Sequence, residues 1–70
     1  MAEVRSEMVA NVWKVLVKTG DQVAAGDPLV ILESMKMEIP VEAPEAGSVT
    51  EVAVQEGGVV QEGDLIARIT

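Results

Sequence analysis

Sliding this chain against itself by 37 positions lays residues 4–33 on residues 41–70, with eight identities in thirty pairs. Val4, Val12, Val15, Val17 and Val23 meet Val41, Val49, Val52, Val54 and Val60. In a chain with thirteen valines those matches carry limited weight. Gly20/Gly57, Gly26/Gly63 and Asp27/Asp64 carry more, because they set the same turn at the same place in both halves. Leu29/Ile66 and Leu32/Ile69 continue the agreement in kind. A length of 70 residues allows a single domain, residues 1–70. A unit half that size cannot bury its own apolar face. The two halves are therefore expected to interlock around one shared core, related by an approximate two-fold axis.

The residue types inside each unit favour strands. Valine and isoleucine are stiff at χ1 and fit a pleated surface, and the chain adds four Ile and four Leu to its valines. Strands are expected over Ala2–Val9, Asn11–Lys18, Leu29–Glu33 and Met37–Ala43, with turns at Thr19–Gln22, Ala25–Pro28 and Ser34–Met37. The second strand steps from Val12 to Val15 to Val17, three residues and then two. The same step recurs at Val49, Val52 and Val54. Strict alternation would keep one face, so the odd step predicts a bulge or bend. The fold class is all-β, a small flattened sandwich or barrel. Trp13, the only aromatic residue, is expected to pack in the core or on the surface beside Val15.

The connection between the halves is Glu33-Ser34-Met35-Lys36-Met37-Glu38. A two-fold axis would carry this connection onto the chain's own termini, so Lys36 is expected at one end of the molecule and both termini at the other. Lys36 is the single basic residue between Lys18 and Arg68, in the stretch that holds most of the acidic residues. Two methionines on a turn do nothing for solubility; they suit an adaptable apolar recognition surface. A plain solvated hairpin tip is the alternative, and these features alone leave the two readings even. No carboxylate pair, metal-ligand cluster, nucleophile with its base or phosphate loop stands out. The chain has no cysteine and no histidine, which removes disulfides and the usual zinc sites and fits a reducing compartment. A net charge of −7 argues against nucleic acid or an anionic membrane as partner and suits a basic protein face. The longest apolar run, Leu29–Leu32, is far short of a membrane span. Met1 reads as a true start, and no flexible linker is present, so the chain reads as free-standing.

Glu-Ser-Met-Lys-Met-Glu closely resembles the attachment motif of the biotinyl/lipoyl carrier family, in which Ala or Ser precedes Met-Lys-Met. Val15-x-Val17-x-x-Gly20-Asp21-x-Val23-x-x-Gly26-Asp27-Pro28-Leu29 is similar to the family's first half, and Ala43-Pro44-Glu45-Ala46-Gly47-Ser48-Val49 to the opening of its second. The resemblance covers about residues 6 to 70 and is nearest to small free-standing bacterial biotin/lipoyl attachment proteins. It implies a flattened eight-stranded barrel-sandwich of two four-stranded antiparallel sheets, with the lysine on a tight turn. It also implies glycines ten positions before and eleven after the lysine, here Gly26 and Gly47. One departure is Val9-Ala10-Asn11, where the family usually carries Pro-Gly; Asn11 can adopt left-handed φ.

The resemblance implies a carrier and not an enzyme. Lys36 would receive covalent biotin from biotin protein ligase, and the swinging cofactor would carry a carboxyl group between a biotin carboxylase and a carboxyltransferase. Met35 and Met37 would select the biotin ligase over a lipoyl ligase, since lipoyl sites usually carry Asp or a small residue beside the lysine. Glu33 would add contact with a basic ligase surface; for Glu38 plain solvation and cross-strand charge are preferred. Lipoate on Lys36, alone or as a dual modification, is the first alternative. An unmodified interaction module is the second. The expected setting is cytoplasmic and the expected state monomeric, because small closed sandwiches with charged edges resist pairing.

Overall fold

The structure is a computed structural model and describes residues 2–70. The valine-rich runs become eight strands: β1 (Ala2–Arg5), β2 (Ala10–Val15), β3 (Gln22–Val23), β4 (Pro28–Ser34), β5 (Met37–Glu42), β6 (Gly47–Val52), β7 (Val59–Val60) and β8 (Leu65–Ile69). They form two four-stranded antiparallel sheets, ordered β1-β8-β6-β3 and β5-β4-β2-β7. A shift of 37 residues converts β1, β2, β3 and β4 into β5, β6, β7 and β8, and so converts the first sheet order into the second. The all-β fold with internal pseudo-two-fold symmetry is the one expected. The chain ends lie side by side, with Ala2 paired to Ile69.

The valine steps have a structural cause. The β2/β4 register shifts between Val12 and Lys14, and the β6/β8 register between Val49 and Glu51. Trp13 and Thr50 are thus the extra residues of two equivalent bulges. Each bulge resets the alternation, so that Val12 and Val49 are buried while Val15 and Val52 still pack on the core. Leu29, Val30 and Leu32 of one half meet Val49, Ile66 and Ile69 of the other in that core. Each such side chain removed from water contributes roughly 1.5–3 kcal/mol, which neither half could gather alone.

The strands differ from expectation mainly at their ends. β1 stops at Arg5 rather than Val9, because buried Ser6 turns the chain: its hydroxyl donates to the Met8 carbonyl at 2.6 Å. β2 stops at Val15 rather than Lys18. The Lys18 amide turns instead to the Asp21 carboxylate at 3.0 Å, closing the Gly20 turn. Asn11 lies within extended β2, not in a left-handed conformation; only Met35 and Lys36 have positive φ among the described non-glycine residues.

Two glycines fix tight points of the fold, Gly26 at the base of the β4–β5 hairpin and Gly47 beside the chain's end. Gly26, with φ 90°, donates its amide to the Ala43 carbonyl at 2.8 Å, and Ala43 donates to the Asp27 carbonyl at 2.8 Å. This exchange ties the base of the hairpin to the turn before it. At Gly47 a Cβ would lie 2.6 Å from the Thr70 carbonyl oxygen and 2.8 Å from Ile69 Cγ2. The close approach of β6 to the chain's end requires glycine there.

Candidate functional site

β4 and β5 pair from Pro28/Glu42 up to Ser34/Met37, leaving a loop of only Met35 and Lys36. A two-residue hairpin loop follows the twist of its strands when both central residues have positive φ, and Asn-Gly is the usual solution. Here the two φ values are 52° at Met35 and 65° at Lys36. A side chain with a Cβ crowds the following carbonyl in that region, at a cost of roughly 1–2 kcal/mol per residue. The tip is therefore strained at two adjacent residues, neither of them suited to the turn.

The strain accompanies exposure. Met35 is 91% exposed and Met37, the first residue of β5, is 61% exposed. Lys36 is exposed between them, and it makes no ion pair or hydrogen bond among the described residues. Its amine is presented to solvent at the end of a rigid ladder. Glu33 lies in β4, three residues before Lys36, and pairs directly with Glu38 of β5. Two carboxylates opposite one another on neighbouring strands repel, so this pair is not there for the stability of the hairpin.

All four residues singled out from the sequence, Lys36, Met35, Met37 and Glu33, thus meet on one hairpin. Glu38, expected as a solvated and cross-strand charge, stands opposite Glu33, the register that a turn at Ser34–Met37 sets. Trp13 sits on the surface, 42% exposed, with the Lys14 Nζ 5.6 Å from its ring centroid. This is the surface form of the packing expected for it.

Comparison with known proteins agrees with this geometry. Residues 2–69 match the biotin/lipoyl family described as "Biotin-requiring enzyme". The "Biotinylated protein TB7.3 homolog" of Mycobacterium leprae is 61% identical over 71 residues, covering 100% of both chains. The "Biotin/lipoyl attachment protein" of Bacillus subtilis is 50% identical over 64 residues, 91% of this chain and 88% of that protein. Among solved structures, the urea carboxylase of Kluyveromyces lactis superposes with a TM-score of 0.91 at 38% identity, over 99% of this chain and 6% of the enzyme. With the family matched from the first described strand to the last, the chain belongs to the biotin/lipoyl attachment family.

Proposed function

We propose that Lys36 is the covalent attachment point for biotin and that residues 1–70 form one carrier domain, built from halves at about 4–33 and 41–70. The observation that carries this reading is the exposed, unpartnered Lys36 amine on a strained two-residue tip between Met35 and Met37. A primary amine with no competing partner has the chemistry an amide bond needs. In a ligase complex Lys36 Nζ would give up a proton and become the nitrogen of an amide with the carboxyl group of biotin, the activating group on that carboxyl leaving. Met35 and Met37 offer the ligase an apolar contact, and Glu33 offers it a charge. When bound, biotin supplies a ureido nitrogen that accepts and releases a carboxyl group. The chain's own residues supply reach, through the exposed tip, and a preformed docking shape, through the barrel.

The chain on this reading is not an enzyme; it works with a biotin protein ligase, a biotin carboxylase and a carboxyltransferase. The similarity to a domain of urea carboxylase supports the carboxylase partners. The cytoplasm is the compartment this role needs, and no helix among the described residues is long and apolar enough to cross a membrane. A monomer suits the sheet edges: β3 and β7 have two residues each, β5 carries Pro40, and β1 carries Glu3 and Arg5. Lipoate on Lys36 is the second reading, favoured by the name of the Bacillus subtilis relative.

Intact mass after co-expression with a biotin ligase, and separately with a lipoyl ligase, tests both readings. A biotin adduct on the wild type that is lost in Lys36→Ala is the expected result. A lipoyl adduct alone moves the carrier to the second reading, and no adduct from either ligase overturns both.

A further inference from the structure

The two sheets are built from equivalent positions, so their outer faces can be compared residue by residue. On the outer face of β1-β8-β6, Glu3 pairs with Arg68 and Arg68 with Glu51 in the strand register. These side chains form an ion-pair ladder: Arg68 Nη2 lies 3.2 Å from Glu3 Oε2 and Arg68 Nη1 lies 3.0 Å from Glu51 Oε1. The shift of 37 places Pro40, Ile31 and Lys14 at the equivalent positions, and they too are cross-strand partners, Ile31 with both Pro40 and Lys14. Where the first sheet satisfies its charges internally, the second presents Pro40 and a half-exposed Ile31 that is not packed on the core.

The next row repeats the contrast. Ser48 and Gln22 of the first sheet are joined by a side-chain hydrogen bond. Their counterparts on the second sheet are Asn11 and Val59, and Val59 is 63% exposed. The same row continues through Glu33 to Glu38, the carboxylate pair next to Lys36. Lys14, the one cation on this face among the described residues, holds its Nζ over the Trp13 ring. The lysine-bearing sheet therefore shows solvent an apolar strip bordered by two opposed carboxylates. The related sheet shows a closed charge network.

From this asymmetry we propose that the outer face of β5-β4-β2 is the docking surface for the modifying ligase, seated by an apolar side chain on Ile31 and Pro40 and by a lysine or arginine between Glu33 and Glu38. A cation placed there relieves the repulsion of the two carboxylates, for which no ion pair is formed among the described residues. The face is continuous with the Lys36 tip through β4 and β5, so one partner can cover both. The opposite sheet, with its charges already paired, offers such a partner neither contact. This inference rests on Lys36 being the attachment point.

The test is steady-state biotinylation by a purified biotin protein ligase, with thermal midpoints of every variant alongside. The variants are the double Glu33→Gln/Glu38→Gln and the single Ile31→Lys, with Glu51→Gln on the other sheet as control. Expected is a KM raised about tenfold for the double variant and for Ile31→Lys, with kcat within about twofold of wild type, as lost interface charge and contact would give. The KM gap of the double variant should narrow as salt is added, since its cause is charge. Glu51→Gln should match the wild type in KM. Because the double variant removes a repulsion, its thermal midpoint should not fall, which keeps the result readable should Ile31→Lys unfold. Wild-type KM in the double variant, or an equal rise in Glu51→Gln, overturns the docking face while leaving Lys36 attachment intact. No labelling of the wild type overturns the attachment reading and the docking face with it.

Discussion

Met35→Asn should make this protein more stable. Met35 has φ 52° and Lys36 φ 65°, in the region where a Cβ costs roughly 1–2 kcal/mol. Asparagine visits that region far more readily, because its short amide can bond locally. Replacing Met35 should relieve about half to all of the penalty at one residue, or about 1 kcal/mol. The loss on the other side is small. Met35 is 91% exposed, so it forfeits less than a tenth of the roughly 1.5–3 kcal/mol that a buried methionine would hold. For a domain of this size about 1 kcal/mol corresponds to a rise in Tm of about 4–8 °C. Equilibrium urea unfolding followed by Trp13 fluorescence and circular dichroism would show a higher midpoint with an unchanged slope. Met35→Ala is the control: alanine has a Cβ but no amide to bond locally, so its midpoint should stay near that of the wild type. A Met35→Asn midpoint equal to or below that of Met35→Ala would refute the idea that strain is stored at the tip. The same protein, still carrying Lys36, should be biotinylated more slowly if the methionine is kept for the ligase. Stability gained and labelling lost together would show why an ill-suited residue occupies this turn.

Two further outcomes follow from the packing and the charges. Gly47→Ala should lower stability by about 1–3 kcal/mol, read as a lower urea midpoint, because its Cβ would press into the Thr70 carbonyl and Ile69. Glu3 is held below its ordinary glutamate value, first by the hydrogen bond and charge of Arg5 and then by Arg68. A carboxylate shifted down stabilises the fold above its unfolded value and loses that contribution as pH falls through its folded value. The Tm difference between wild type and Glu3→Gln should therefore be present at neutral pH, shrink below about pH 4.5, and vanish in stronger acid.

Much of the fold was legible because it is written twice. Gly20, Gly26, Gly57 and Gly63 all take positive φ, and the matched spacing of those turns located them. The three-then-two valine step located both bulges, since any strand with one buried face must reset its alternation when a residue is added. Strand ends were less legible. Ser6 and Asp21 end β1 and β2 with side-chain hydrogen bonds whose donors and acceptors are common everywhere in such a chain. Of the candidate site, Lys36 and its methionines were visible as a motif. The charge of Glu33 and Glu38 across the hairpin was visible with them, because the turn expected at Ser34–Met37 leaves a two-residue loop and sets that register.

By itself the sequence determined the repeat, the strand content and the place of Lys36 between the halves, all of which are local patterns of spacing and side-chain shape. Tertiary structure decided which face each residue serves. Ile31 and Arg68 occupy equivalent places in the repeat, yet one lies in an apolar strip and the other between two glutamates. That difference comes from cross-strand neighbours far apart in the chain, and they become neighbours only when the sheets close around the shared core.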